Sequence, residues 1–199
     1  MTKVNVILAS ASPRRKRILS ELFAEFDVRP VEIDESPRNG ETHRETAKRL
    51  SMEKAQKVAE KNPGSLVIGA DTFVFLGGNI IGKADCEERA RGMLAALSGK
   101  THEVITGVSF IYKNENFSQC VVCRSEVKFK NLSENDIDEY LANGEYVGKA
   151  GAYAIQGAGK ALIESFSGSF TNIVGLPVRE LLRFIVDFGF GRLPLKVER

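Results

Sequence analysis

Val4-Asn5-Val6-Ile7-Leu8-Ala9-Ser10-Ala11-Ser12-Pro13-Arg14-Arg15-Lys16-Arg17 is the stretch that decides the fold. Its opening is short and apolar, which predicts a strand over residues 4–9. Ser10-Ala11-Ser12-Pro13 then predicts a tight turn into a helix, because Ser12 is a good N-cap and Pro13 a good first helical residue. The helix is expected over about residues 14–26, with Ile18, Leu19, Leu22, Phe23 and Phe26 on its apolar face. A strand, a tight turn and a helix in that order begin an α/β protein.

Reading outward, an extended piece over residues 28–33 leads to the acidic pair Asp34-Glu35. A long amphipathic helix is predicted over residues 43–61, ended by Asn62-Pro63-Gly64. Residues 65–76 read as a buried strand running through Asp71, and Gly77-Gly78-Asn79 signals a hairpin turn. Asp85 is expected to cap a third helix, with Met93, Leu94 and Leu97 inward and Ser98-Gly99 as its stop. Two long strands are predicted at 103–112 and 117–129, then a short helix from Ser133 to about 141. Glycine-rich segments 148–159 and 165–175 enclose a strand at 161–166. Pro177 opens a final helix, with Leu181, Leu182, Ile185 and Phe188 inward. No repeat and no linker stands out, so residues 1–199 are expected to form one domain, a two-lobed α/β body.

Composition excludes several classes. Hydrophobic residues make up 43% and charged residues 27%, ordinary values for a soluble globular protein. No apolar run approaches the roughly 20 residues that span a bilayer, and the apolar start turns polar too soon for a signal peptide. Three cysteines, an odd number, argue against a disulfide framework and fit a reducing cytosol. Cys120 and Cys123 lie three apart in a predicted strand, so they point to opposite faces and make a poor chelating pair. A net charge of +2 gives no global field for nucleic acid.

Local chemistry is richer. Arg14, Arg15, Lys16 and Arg17 crowd the positive end of a helix dipole, where each cation is disfavoured by roughly 0.3–1 kcal/mol. An anion would relieve that repulsion and satisfy the free N–H groups of the first turn, with Ser10 and Ser12 adding hydroxyl donors. A solvated basic face is the plainer alternative. Lys54 falls on the inward stripe of its helix, one turn from Leu50 and Val58. Either its stem covers apolar surface or it projects a cation into a cleft. Asp71 interrupts an apolar strand, where an isolated charge is very costly, so it needs a metal, a lysine, a substrate or strand-end N–H groups. Lys83 is one candidate partner. Asp34-Glu35 would suit a hard divalent ion held by one or two acids plus phosphates, or else a solvated loop.

Familiar phosphate motifs fail. Gly99-Lys100-Thr101 resembles the end of a P-loop, but Leu94 stands where its first Gly belongs, and it ends a helix. Gly157-Ala158-Gly159-Lys160 lacks the spacing of either nucleotide-binding glycine motif. His43 and His102, the only histidines, form no zinc motif and no catalytic set, and read as structural or exposed.

Ser10-Ala-Ser-Pro-Arg-Arg15 after a strand resembles the signature of the Maf family of nucleoside triphosphate pyrophosphatases, also called septum-formation inhibitors. The resemblance continues, in order, through Val31-Glu-Ile-Asp-Glu35, Glu53-Lys54-Ala55, Gly69-Ala-Asp-Thr72 and Gly82-Lys83. It resumes at Leu97-Ser-Gly-Lys-Thr-His102, Lys149-Ala-Gly-Ala-Tyr153, Ile155-Gln-Gly157 and Val174-Gly-Leu-Pro177. It implies a mixed sheet flanked by helices, with a cleft between two lobes like that of the inosine-triphosphate pyrophosphatases. It also implies a divalent cation, Mg²⁺ or Mn²⁺, and cleavage between the α and β phosphates. By that resemblance Asp71 is the general base and Glu35 and Asp71 are the metal residues. Ser10, Arg14, Arg15, Lys54 and Lys83 line the phosphate site. Arg14, Thr72 and Gln156 match the positions that separate the family's branches, and here they resemble the dTTP/UTP branch, with CTP open. The 7-methyl-GTP branch carries Trp, Gln and Glu there. One departure is Ala84, where the family usually has Pro after Gly82-Lys83.

Gln156 makes chemical sense for a pyrimidine, since a carboxamide offers donor and acceptor together to the N3–H and a carbonyl of uracil or thymine. The expected partner is therefore a small cytoplasmic nucleoside triphosphate, with no stable nucleic acid and no membrane; a homodimer is compatible with the family. Two rivals remain at this stage: a nucleic-acid binder using the Arg14–Arg17 patch, and a septum-formation inhibitor acting without catalysis.

Overall fold

The computed structural model describes residues 3–36 and 38–196. In chain order the main elements are β1 (Asn5–Leu8), α1 (Pro13–Leu22), β2 (Asp27–Val28), α2 (His43–Ala59), β3 (Ser65–Leu76), β4 (Asn79–Ile81), α3 (Glu87–Leu97), β5 (Thr101–Tyr112), β6 (Phe117–Phe129), α4 (Glu134–Leu141), β7 (Ile163–Ser167), α5 (Phe170–Val174) and α6 (Val178–Phe188). The strands form one seven-stranded mixed sheet in the order β2-β1-β3-β5-β6-β7, with β4 paired to β3. β1 runs parallel to β2 and β3, while β4 is antiparallel to β3 and β7 to β6. The expected mixed α/β sheet flanked by helices is what the chain forms. No helix among the described residues is long and apolar enough to cross a membrane.

The chain divides into two compact units. The first comprises residues 1–71, 106–123 and 175–199; the second comprises 72–105 and 124–174. In the first unit, the two-residue period of the strands sorts side chains onto two faces. Val6, Leu8, Leu66, Ile68, Val108 and Phe110 pack with α1 and α6. Ile7, Ala9, Val67 and Ile111 turn to the opposite side and pack with α2 through Ala55, Val58 and Ala59. The same period carries Gly69 and Asp71 to the α2 face. In the second unit Leu94 and Leu97 of α3, Ile137 and Tyr140 of α4, and Phe129 and Tyr153 close a separate core.

Helix α2 lies unusually close to the sheet. A Cβ on Gly69 would sit 2.3 Å from the Ser51 carbonyl oxygen, and one on Gly107 would sit 2.1 Å from that of Ala47. Both obstacles are backbone and cannot swing aside. Gly69→Ala is therefore expected to cost about 1–3 kcal/mol of overpacking. That lowers the melting temperature by roughly 2–12 °C in a thermal melt. An unchanged melting temperature would show that the helix shifts without cost.

Several boundaries depart from the sequence reading. Helix α1 stops at Leu22 because Phe23 bridges Leu195 and the Ala24 N–H bonds the Pro194 carbonyl, drawing the chain into extended form. Of the extended piece expected over residues 28–33 only Val28 pairs as a strand, together with Asp27 before it. Cys86, not Asp85, is the N-cap of α3, and it makes no side-chain capping bond. Asp85 instead accepts a bond from Arg89. On α6 the inward position expected for Leu182 belongs to Phe184, and Leu182 is exposed.

Candidate active site

The β1–α1 turn is built as its residues dictate. Ser12 caps α1 by accepting from the Arg15 N–H at 3.4 Å, and Pro13 opens the helix. Ser10 Oγ accepts from the Ser12 N–H at 3.3 Å and from Arg15 Nη1 at 2.9 Å, while Arg15 Nε donates to the Gly175 carbonyl at 2.8 Å. The first turn thus separates four consecutive cations. Arg15 is buried, Arg14 half-buried, and Lys16 and Arg17 exposed. Burial pushes the Arg15 guanidinium below the ordinary arginine range; Asp71 opposes that shift, Arg14 adds to it and Glu35 opposes it.

Lys54 reaches the same neighbourhood from α2. Its Nζ donates to Glu35 Oε1 at 2.6 Å and to Asp71 Oδ2 at 2.8 Å. The side chains of Lys54 and Asp71 are only 10% and 9% exposed, while that of Glu35 is 45% exposed. The close approach of α2 at Gly69 is what brings the ammonium to the strand residue two positions on. Six of the nine residues singled out from the sequence therefore belong to the first unit: Ser10, Arg14, Arg15, Glu35, Lys54 and Asp71. Three cations and two carboxylates leave this cluster net positive.

The other three belong to the second unit. Thr72 follows Asp71 in β3 and is half-buried. Lys83 is exposed and forms an isolated antiparallel bridge with Ala150. Ala84, in place of the family's usual Pro, is buried. Gln156 is exposed and precedes the 3₁₀ turn Gly157–Leu162, where the Ala158 N–H bonds Glu145 Oε1 at 3.3 Å. Of the two readings open for it, structural or exposed, His102 takes the structural one. It is buried, its Nε2 lies 2.7 Å from the Tyr153 hydroxyl, and its ring meets Phe129 and Tyr153 edge-on. Burial lowers its pKa to about 4, so it is neutral near pH 7.

A divalent cation can be tested against this site. Among the described residues no group of three or more His, Cys, Asp or Glu side chains is arranged to hold a metal. A closed protein cage of the zinc or calcium kind is therefore absent from them. What they offer is two carboxylates gathered on one ammonium, Glu35 and Asp71 on Lys54. That donor set fits Mg²⁺ or Mn²⁺, which take one or two carboxylates and complete their shell with water and phosphate.

The chain is an α/β protein, a class in which strand ends and helix N-termini are common places for anions. Within that class the chain belongs to the Maf family, because the profile described as Maf-like protein matches residues 5–188. A dTTP/UTP pyrophosphatase of Clostridioides difficile (strain 630) is 49% identical over 178 residues, covering 89% of this chain and 92% of that protein. Proteins of the same name from Syntrophus aciditrophicus (strain SB) and Myxococcus xanthus (strain DK1622) are 44% and 43% identical, over 95% and 96% of this chain and 92% and 94% of theirs. A crystal structure of a dITP/XTP pyrophosphatase from Mycobacterium abscessus aligns at 13% identity over 65% of this chain and 76% of that one; its TM-score of 0.41 is too low to bear on fold or function.

Sequence reasoning did not find every residue that shapes the cluster. It singled out Val174-Gly-Leu-Pro177 as a match but missed that the Gly175 carbonyl fixes Arg15, since nothing in a motif says which side chain 160 positions away its backbone will meet. It also missed Glu41 and Arg49, which are bonded to each other and, through Arg49, to the Ser36 carbonyl beside Glu35.

Proposed function

We propose that this protein hydrolyses dTTP and UTP to the nucleoside monophosphate and pyrophosphate, drawing on the cytoplasmic nucleotide pool. The observation that carries the reading is the Lys54 ammonium shared by Glu35 and Asp71, two carboxylates that are themselves in electrostatic reach of the buried Arg15. The relatives named dTTP/UTP pyrophosphatase, aligned along nearly their whole length, support the reaction and the substrate class.

In this reading Ser10, Arg14, Arg15, Lys54 and Lys83 bind the triphosphate and neutralise charge that builds on the leaving pyrophosphate. Asp71 orients the water that attacks the α-phosphorus and takes its proton. Glu35, with Asp71, would hold a divalent cation, Mg²⁺ or Mn²⁺, which supplies Lewis-acid stabilisation of the phosphoryl oxygens. Arg14, Thr72 and Gln156 select the base, with the Gln156 carboxamide matched to the N3–H and a carbonyl of uracil or thymine.

The test is a panel of nucleoside triphosphates with purified protein and Mg²⁺ or Mn²⁺, resolving every phosphorus product. dTTP is expected to give dTMP and pyrophosphate together, and EDTA to abolish turnover until metal is restored. Release of dTDP and orthophosphate as first products would overturn the reaction. Preference for 7-methyl-GTP over dTTP and UTP at equal concentration would leave the reaction standing and overturn the choice of base.

A further inference from the structure

Among the described residues, the chain between β2 and α2 forms no helix or strand, yet it carries Glu35. Arg49 makes the densest set of bonds to its second half. Arg49, on α2, donates from Nε to Glu41 Oε1 at 2.5 Å, and from Nη2 to Glu41 Oε2 at 2.8 Å and the Ser36 carbonyl at 3.0 Å. Glu41 Oε2 also accepts from the Arg38 N–H at 3.0 Å and from Thr46 Oγ1 at 3.3 Å. Arg38 and Arg49 in turn share Glu53, at 2.9 and 3.5 Å. The side chains of Arg49 and Glu41 are 12% and 16% exposed, unlike the open surface pairs elsewhere in the chain. The arginine holds the Glu41 carboxylate at a pKa of about 2, so the pair stays charged throughout the working pH range.

The placement matters more than the number of bonds. Ser36 directly follows Glu35, and Lys54 lies on the same helix as Arg49, five residues on. One helix therefore grips the chain on both sides of Glu35: at the Glu32 carbonyl through Lys57, at the Glu35 carboxylate itself through Lys54, and at the Ser36 carbonyl through Arg49. A carboxylate that is 45% exposed, on a loop without ladder bonds, keeps its position only if the backbone beside it is fixed. A fork is suited to that task, because a planar guanidinium sets direction as well as charge.

We infer that Arg49 and Glu41 form a positioning clasp, holding Glu35 where it meets Lys54 and Asp71 and so setting the site's affinity for its divalent cation. This rests on the assignment of Glu35 above. The role is one of positioning: Arg49 acts through the Ser36 carbonyl, and Glu41 acts by orienting Arg49.

The experiment measures Mn²⁺ binding by calorimetry on the full-length protein without nucleotide, alongside steady-state dTTP hydrolysis. Glu41→Gln and Arg49→Lys are compared with Glu35→Gln and with Glu115→Gln, which alters only an exposed pair with Arg192. Arg49→Lys keeps the charge and most of the stem, so it tests the fork should Glu41→Gln fold poorly. Both clasp variants are expected to weaken Mn²⁺ binding about tenfold, with excess Mn²⁺ restoring part of the lost kcat/KM, and Glu115→Gln to match wild type. Wild-type Mn²⁺ affinity in the folded clasp variants, with Glu35→Gln impaired, would overturn the clasp alone. A lowered melting temperature with unchanged Mn²⁺ affinity would do the same, reducing the pair to a structural tie. Wild-type Mn²⁺ affinity in Glu35→Gln would instead remove the metal role of Glu35, and the clasp's function with it.

Discussion

Asp71→Asn is expected to cut dTTP turnover at least about 10²-fold while nucleotide binding and folding survive. Asparagine keeps the shape of the side chain and can still accept a bond from Lys54. What it loses is the charge, and with it the ability to take a proton from water or to help hold a cation. Lys54 retains Glu35 as a counter-ion, so the buried ammonium is not abandoned. The effect should therefore fall on kcat, with the dissociation constant for dTTP, measured by calorimetry, changing far less. Near-wild-type turnover would make Asp71 a structural strand residue whose carboxylate merely satisfies Lys54. A large rise in the dissociation constant with kcat unchanged would move it from the chemical step to binding.

How much of this was legible in the sequence follows from how locally each feature is determined. The strand–turn–helix at residues 4–22 was readable because Ser12 and Pro13 act through their own backbone. Strand β3 matched its predicted bounds, since an unbroken apolar run ended by Gly77-Gly78 leaves few alternatives. Where α1 stops was not readable, because Leu195 and Pro194, far along the chain, decide it. Leu182 and Phe184 show the limit of periodicity: each is apolar, and packing in the folded unit chooses which turns inward.

The site shows the same division. Lys54 and Asp71 were conspicuous because each breaks an apolar pattern, and a charge in such a place needs a partner. That they are partners of each other was not visible, because it depends on how closely α2 approaches at Gly69 and Gly107. Arg49 and Glu41 left no such mark. Both sit among charged residues on a polar stretch, where a charge is normally a solvated one. The available signal was the capping box formed by Thr42 and Glu45, which fixes the start of α2 immediately after Glu41.

Lys54→Met should separate what the cluster does for stability from what it does for chemistry. Methionine keeps the length and apolar stem of lysine, so packing against the sheet is largely preserved. The ammonium, however, bonds an Asp71 carboxylate that is nearly buried. Removing one partner of such a pair leaves the buried carboxylate poorly compensated, offset in part by the charge of Arg15, and costs up to about 3–5 kcal/mol. Turnover is expected to fall about 10²–10³-fold, the scale on which one preorganised electrostatic contact contributes. The double variant Lys54→Met/Asp71→Asn then removes the stranded carboxylate. Urea unfolding should show most of the lost stability recovered, whereas turnover should stay at or below that of either single variant. Lys54→Arg should not restore activity, since a guanidinium must fit where α2 already meets the sheet at backbone contact distance. Should Lys54→Met lose stability yet keep wild-type turnover, the ammonium is a structural counter-ion to Asp71, and phosphate binding rests on Arg14 and Arg15 without it.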